Sequence, residues 1–313
     1  MLHKLLDVLI CPNCLPHEFP LQATIGKAKA DDIIAGELSC CVCARRYPIE
    51  AGVAYLDPGT TTREELPQSR YESQELLASY LWSHYGDLLA EAEASSAYRE
   101  WGQLLPATGG WGLDIGAAVG RFSFEMSQTC DFVIGIDASS SFIRAARRLL
   151  REGSFSVNLP EEGNLFRHFC LHLPSAWAAA AIEFIVADAQ ALPFRTGIFR
   201  QTASLNLVDK LPQPLRHLSE MNRVASRRSC HFLFSDPFSW STAAAPESEW
   251  LGGTSSGEFK GYGQDNLKTL LSAPQGRLQP AWRVVGEGSV WWKIRTHRNH
   301  YELIRSCYLQ AER

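Results

Sequence analysis

Nine cysteines are spread unevenly over the 313-residue chain: Cys11, Cys14, Cys40, Cys41 and Cys43 all fall within the first 43 residues. Two of the spacings are Cys-x-x-Cys, Cys11/Cys14 and Cys40/Cys43, separated by 25 residues. A two-residue gap lets both thiolates of a pair grip one side of a tetrahedral ion, and two pairs complete a closed set of four sulfur ligands. Such a set leaves no open position for a substrate, so the chemistry is structural: a zinc ion held by Cys11, Cys14, Cys40 and Cys43. Cys41 competes with Cys40 by position, and the two-residue gap to Cys43 favours Cys40. Thiols of a cytosolic chain stay reduced, which argues against a disulfide framework. Packing as small apolar residues would not explain two pairs, one of them built around the turn-forming Pro12-Asn13.

A second constellation carries oxygen ligands. Asp114-Ile115-Gly116-Ala117-Ala118-Val119-Gly120 follows an apolar run and opens a helical one, the context in which a glycine-rich loop has meaning. Small residues let the backbone approach a ligand, and the helix start beyond Gly120 offers free N–H groups to a carboxylate. Ala118 stands at the middle of the three usual glycine places, which suits a nucleoside better than a dinucleotide pyrophosphate. Asp137 lies 17 residues past Gly120, at the end of a second apolar run, where an acid can take both hydroxyls of a ribose. Asp188-Ala189 ends a third run and is placed to accept from an adenine amino group. Each acid alone can be a strand-end turn former. Three in this order point to adenosine with an amino-acid tail, that is, to S-adenosylmethionine.

The elements that must position these groups follow from periodicity. Residues 1–57 read as a first unit with an apolar helical start and short strands, 58–74 as a linker without hydrophobic pattern, and 75–313 as a second domain. Apolar residues recur at helical spacing from Gln74 to Tyr98, placing His84-Tyr85-Gly86 on or just after a helix. Strand-like runs at Trp111–Gly116, Phe132–Asp137, Ile182–Val186, Phe199–Leu207 and Cys230–Phe234 alternate with helical stretches such as Ser140–Arg151 and Pro214–Val224. Alternation of this kind predicts an α/β fold, Rossmann-like, with a mostly parallel sheet. The tail from Trp291 to Arg313 carries five Lys/Arg against two acids and interleaved aromatic residues. It reads either as the last strands of the sheet or as a surface for RNA phosphate, the former being favoured.

Composition narrows the partners. A formal net charge of −4 gives no global pull toward polyanions, so a nucleic-acid partner is not expected, although local basic patches leave it open. The longest apolar window, Ala176 to Val186, is too short to cross a bilayer and is broken by Glu183. The apolar start is too short for a secretory leader and carries Asp7, so a cytoplasmic location is expected.

Two resemblances add to this reading. Leu9-Ile10-Cys11-Pro12, Cys14, Cys40, Cys43 and Tyr47-Pro48-Ile49, followed by Gly52-Val53, resemble the small zinc-ribbon activator proteins that partner tRNA and translation-factor methyltransferases. That likeness covers residues 1–57 and implies a scaffolding role. Over 75–313 the chain resembles class I S-adenosylmethionine-dependent methyltransferases. The resemblance implies that Asp114, Gly116 and Gly120 line the methionine end, Asp137 binds the ribose, and Asp188 and Ala189 meet the adenine. Ala118, Arg121 and Ala138 complete the cofactor contacts, and the Asn206 loop closes over the sulfonium.

His84-Tyr85-Gly86, Gly116–Glu125, Asn206-Leu207-Val208-Asp209-Lys210-Leu211, Asp236–Trp240 and Trp250-Leu251-Gly252-Gly253 look more narrowly like the methyltransferase domain of the ovothiol biosynthesis enzyme. That domain N-methylates the imidazole of 5-thiohistidine. The zinc ribbon in place of a preceding oxygenase-type region, and the Trp291–Tyr301 tail, depart from it. Tyr85, Asn206, Asp209 and Asp236 are the catalytic candidates. Tyr85, Asp209, Trp240 and Trp250 are the substrate contacts, carboxylates for an N–H or ammonium and indoles to exclude water. A small-molecule acceptor is the leading expectation. The alternatives are a tRNA or protein acceptor recruited by the ribbon, and a catalytically silent activator.

Overall fold

The computed structural model describes residues 1–59, 72–89, 91–177 and 181–313, so most of the expected linker 58–74 lies outside the described residues. The first unit opens with a short 3-10 turn, His3–Asp7, where a longer helical start is expected from the apolar residues. Four antiparallel-paired strands follow: β1 (Leu21–Lys29), β2 (Asp32–Cys40), β3 (Arg46–Glu50) and β4 (Val53–Leu56).

Beyond the undescribed stretch come α1 (Gln74–Tyr85) and α2 (Ala97–Gln103), and the alternating units then begin. These are β5 (Trp111–Ile115), α3 (Arg121–Met126), β6 (Phe132–Asp137), α4 (Ser140–Glu152), β7 (Ser154–Glu162), β8 (Leu165–His172), β9 (Ile182–Ala187), β10 (Phe199–Leu205), α5 (Pro214–Val224) and β11 (His231–Asp236). The chain finishes with α6 (Gly263–Ser272), β12 (Arg283–His297) and β13 (His300–Glu312).

One sheet runs through both units, in the order β1-β2-β3-β4-β9-β6-β5-β10-β11-β13-β12. Strands β9, β6, β5, β10 and β11 are mutually parallel, and β13 enters antiparallel beside β11. This is the Rossmann-like, mostly parallel arrangement expected from the alternation. The order reverses at β5, whose neighbours are β6 and β10, and such a switch point leaves a crevice at the carboxyl ends of the strands. The tail forms the long β12–β13 hairpin, in agreement with its reading as the last strands.

The first unit is built into this sheet. Strand β4 pairs in parallel with β9, Tyr55 opposite Val186 and Leu56 opposite Ala187. All four β4 residues are buried, as an interior strand flanked on both sides requires. Leu5, Leu9, Leu38 and Tyr47 share one hydrophobic core with Ile136, Ile185, Leu192 and Phe194. At the same seam Arg147 of α4, 5% exposed, reaches Asp32 of β2 with Nη2 (2.7 and 2.8 Å) and bonds the fully buried Glu183 of β9 with Nη1. A second core, on the other face, packs α1 to α4 through Leu81, Trp101, Phe122, Phe124, Phe142 and Phe184.

Candidate active site and metal centre

Strand β5 delivers Asp114 to the floor of the crevice, 2% exposed, where Ser123 Oγ donates to its Oδ2 at 2.6 Å. Burial pushes its carboxyl up to about 7. The loop that follows turns through left-handed backbone at Gly116 (φ +79°), Ala118 (φ +45°) and Gly120 (φ +84°). Gly120 is required on two counts, since a Cβ there would also lie 2.7 Å from Phe184 and 2.9 Å from the Ala146 methyl. Ala118 bears its positive φ with a side chain in place, and a short tie holds it there. Its N–H donates to Asp137 Oδ2 at 3.0 Å.

Asp137, at the end of β6, also accepts from the Ser139 N–H (2.8 Å), so one carboxylate spans the glycine loop and the start of α4. Burial raises it to about 6. Ala138 beside it is exposed. Glu72 completes this corner, accepting from Ser140 N–H (2.9 Å), Ser140 Oγ (3.0 Å) and Ser141 N–H (3.1 Å), and thereby caps α4. Sequence pattern gave no sign of Glu72, because the contact joins residues 68 apart. Asp188, half-buried after β9, accepts from the Gln190 N–H at 2.8 Å, and Ala189 is buried next to it. Asp114, the glycine loop, Asp137 and Asp188 thus stand together at the carboxyl edge of three neighbouring strands.

Arg121, the first residue of α3, is 1% exposed and fully engaged. Its Nη1 reaches Asp87 at 2.6 Å and the His84 carbonyl at 3.0 Å, and its Nη2 reaches Glu125 at 2.7 Å. Two carboxylates neutralise it, so it anchors the 84–87 segment against the loop. Tyr85 does similar work: fully buried, its hydroxyl donates to the Val119 carbonyl at 2.8 Å.

The other wall comes from β10 and β11. Asn206 has φ +53°, its N–H donates to the Ser235 carbonyl (2.7 Å), and Ser306 Oγ of β13 donates to its Oδ1 (2.6 Å). Asp236 accepts from the Val208 N–H (3.0 Å) and the Phe238 N–H (2.7 Å). Burial and the neighbouring Asp209 hold the Asp236 carboxyl well above its usual range. Asp209 accepts at Oδ2 from the Ser239 N–H (2.8 Å) and Lys210 Nζ (3.0 Å), while its buried Oδ1 has no partner among the described residues. Trp240 and Trp250 stack with centroids 6.3 Å apart, and Trp250 Nε1 donates to the Ala245 carbonyl at 3.0 Å. Trp240 Nε1 is buried without a partner among the described residues.

The cysteines meet as their spacing predicts. The Sγ atoms of Cys11, Cys14, Cys40 and Cys43 all lie within 4.8 Å of one another, with Cys11 to Cys43 at 3.6 Å and Cys14 to Cys40 at 3.8 Å. A tetrahedron with Zn–S bonds of about 2.3 Å has sulfur edges of about 3.8 Å, which the Cys11–Cys43 and Cys14–Cys40 edges match. Cys41 is exposed and outside the set. The Tyr47 hydroxyl lies 3.3 Å from Cys11 Sγ, on the outside of the cluster.

Comparison with known proteins agrees with both halves. Residues 113–232 match the model of a methyltransferase domain, and residues 3–52 match that of the Trm112p-like proteins. No curated protein matches the chain. Among solved structures it is similar to one concerned with conversion of a disulfide bond into a thioacetal group during echinomycin biosynthesis, with 14% identity, 70% of this chain and 82% of that chain covered, and a TM-score of 0.45. It is also similar to a complex between the Haloferax volcanii Trm112 methyltransferase activator and a putative methyltransferase (12% identity, 74% and 81% covered, TM-score 0.46). A putative methyltransferase from Bacillus halodurans is similar at 14% identity, with 69% and 98% covered and a TM-score of 0.43. The chain therefore carries a methyltransferase domain behind a Trm112p-like domain that holds four clustered cysteines.

Proposed function

We propose that the chain is an S-adenosylmethionine-dependent methyltransferase that acts on a small nitrogen acceptor, an imidazole of the 5-thiohistidine kind. The observation that carries the first half is the row of Asp114, Asp137 and Asp188 at the carboxyl ends of β5, β6 and β9, with the glycine loop between the first two. Asp114 would face the ammonium of the cofactor, Asp137 the ribose hydroxyls, and Asp188 with Ala189 the adenine. Ala138 borders the ribose side. Bound S-adenosylmethionine supplies a methyl group on a sulfonium, which leaves without acid assistance.

The protein's task is then alignment and exclusion of water. Asn206, fixed by Ser306 and the Ser235 carbonyl, borders the reacting centre from the β10 side. Asp209 retains one buried oxygen without a partner among the described residues, near the Trp240/Trp250 stack, which suits an N–H or ammonium of the acceptor. Tyr85 serves by holding the loop through Val119. The zinc site, held by Cys11, Cys14, Cys40 and Cys43, fixes the ribbon that extends the sheet at β4. The imidazole acceptor rests on the resemblance of the His84, Asn206, Asp236 and Trp250 blocks to the 5-thiohistidine-methylating domain.

The test is mass spectrometry after incubation with S-adenosylmethionine and a panel of histidine, 5-thiohistidine, related thiol-imidazoles and bulk tRNA. Gain of one methyl on 5-thiohistidine is the expected result. Methylation of tRNA alone would replace the small acceptor with a macromolecular one.

A further inference from the structure

Two buried ring nitrogens beside the glycine loop have no hydrogen-bond partner among the described residues. His84, on the last turn of α1, is 3% exposed, and its Nε2 lies 2.6 Å from the hydroxyl of Tyr98 on α2. Its ring stacks on Tyr98 at 4.1 Å between centroids and stands edge-on to Trp292 of β12 at 6.3 Å. Tyr80 and Tyr98 also meet Trp292, at 6.2 and 6.4 Å. Neither His84 Nδ1 nor Trp292 Nε1 has a hydrogen-bond partner among the described residues. The cluster is tied to the cofactor loop through the Arg121 bond to the His84 carbonyl and the Tyr85 bond to Val119.

The contact with Tyr98 fixes the histidine tautomer. The Tyr98 hydroxyl has no other hydrogen-bond partner among the described residues, so its proton is satisfied only when the hydroxyl donates and Nε2 accepts. Burial, with the Arg121 guanidinium, keeps the imidazole neutral. Its single ring proton therefore sits on Nδ1, and the cluster holds two buried N–H donors without an acceptor, Nδ1–H of His84 and Nε1–H of Trp292. Buried donors are rarely left so, and a bound molecule that brings electron-rich atoms would satisfy them.

We propose that His84 Nδ1–H and Trp292 Nε1–H anchor an anionic, hydrogen-bond-accepting group of the methyl acceptor, a thiolate or a carboxylate. Bonds to an ionised acceptor are the stronger kind, which favours an anion over a neutral carbonyl. The ligand's role as methyl acceptor rests on the methyltransferase reading above, and the two donors themselves rest on the geometry. No proton moves in this step, because both donors keep their hydrogens. Sequence patterns place Trp292 in the last strands and His84 on or just after a helix, and the box forms only when β12 packs across α1.

The test uses the full chain labelled with 15N at histidine and tryptophan, with and without S-adenosylhomocysteine. Its probes are 4-methylimidazole-5-thiol (thiol without carboxylate), histidine and acetate (carboxylate without thiol), and 5-thiohistidine. The free chain should show His84 protonated at Nδ1 and bare at Nε2. The His84 and Trp292 resonances should move together on adding a probe: with the thiol alone if the anchor takes a thiolate, with histidine and acetate if it takes a carboxylate. Trp292→Phe should weaken that probe about tenfold while S-adenosylhomocysteine binds as before. A His84 proton on Nε2, or resonances that ignore every probe, would overturn the anchor. So would a Trp292→Phe chain that loses cofactor and probe equally, since that marks a packing role. A chain whose resonances respond but which never binds S-adenosylhomocysteine would keep the anchor and refute the cofactor reading instead.

Discussion

The ribbon and the crevice solve opposite problems. In the ribbon, four thiols from two short local segments are drawn within 4.8 Å of one another, a set that a single ion would hold together. In the crevice, no single group dominates, and the site is held by carboxylates that fasten backbone: Asp137 to Ala118 and Ser139, Asp236 to Val208 and Phe238, Glu72 to the start of α4. Removing one ligand should therefore dismantle the ribbon, whereas removing one carboxylate should weaken the crevice by degrees. Between them lies the β4–β9 pairing and Arg147, which make the two regions one folded body.

The largest effect should come from the metal centre. Elemental analysis should find one zinc per chain, and Cys14→Ser or Cys43→Ser should abolish it and with it the folding of the ribbon, because structural zinc contributes on the order of 10 kcal/mol. Full metal content in either variant would break the contrast. Next is the seam: Arg147→Met removes the guanidinium from Glu183 and Asp32 and leaves Glu183 buried with only the Met1 ammonium, 3.8 Å away, as its cation, which should cost about 3 kcal/mol in denaturant unfolding of the whole chain. A loss confined to the ribbon, seen as two transitions, would mean that the two regions are not coupled there.

A smaller effect is expected at Asp137. Asp137→Ala should lower S-adenosylhomocysteine affinity by about tenfold in calorimetry, about 1.4 kcal/mol, with zinc content unchanged. An unaltered affinity would remove the ribose assignment. Protonation should act in the same direction. Asp114 and Asp137 are raised to about 7 and about 6, and their ionised forms are the ones suited to an ammonium and a diol. Cofactor affinity should therefore be fullest above pH 8 and fall progressively as the pH drops through about 7 and then about 6. The effect of these acids on the unliganded fold has the opposite sign. A folded value above the unfolded 3.8 favours the fold most below that pH, and the contribution is lost as pH rises through about 7. A cofactor affinity flat from pH 5.5 to 8 would contradict the roles given to ionised Asp114 and Asp137 in binding. The smallest effect is at Cys41, where Cys41→Ser should leave metal content and stability unchanged, since its exposed thiol lies outside the cluster.

What could be read from the sequence follows the same division. The ribbon was legible because cysteine spacing encodes the ligand geometry directly, and strands β5, β6 and β9 because each carries a short apolar run with an acid at or next to its end. Strand β4 carried a clue in its four successive apolar residues, Val53-Ala54-Tyr55-Leu56, which suit a strand covered on both faces. Its partner β9 is 126 residues away at the nearest point, from Leu56 to Ile182, and no local pattern names it. The β7–β8 hairpin between α4 and β9 gave little signal. Its alternation is interrupted at Pro160, and Leu165 and Phe166 near its turn are exposed (66% and 54%), against the usual sense of apolar residues.

For the site itself, the acids at strand ends could be placed by residue type. Their hydrogen bonds could not, because they join loops from different units of the fold. Arg121 shows this well. Its place at the start of α3 marks it for a cofactor contact, yet Asp87 and Glu125 claim its guanidinium. The anchoring of Tyr85 to Val119 arises in the same way, from α1 packing against the glycine loop.

The most direct measurement is calorimetric titration of the intact, zinc-loaded chain with S-adenosylmethionine at pH 8, beside the Asp137→Ala chain. One binding site per chain, weakened about tenfold in the variant while its zinc content stays the same, is the expected result. Absence of binding in a folded, metal-replete chain would contradict the cofactor site at the ends of β5, β6 and β9, and with it the reading of the crevice as the place where methyl transfer occurs.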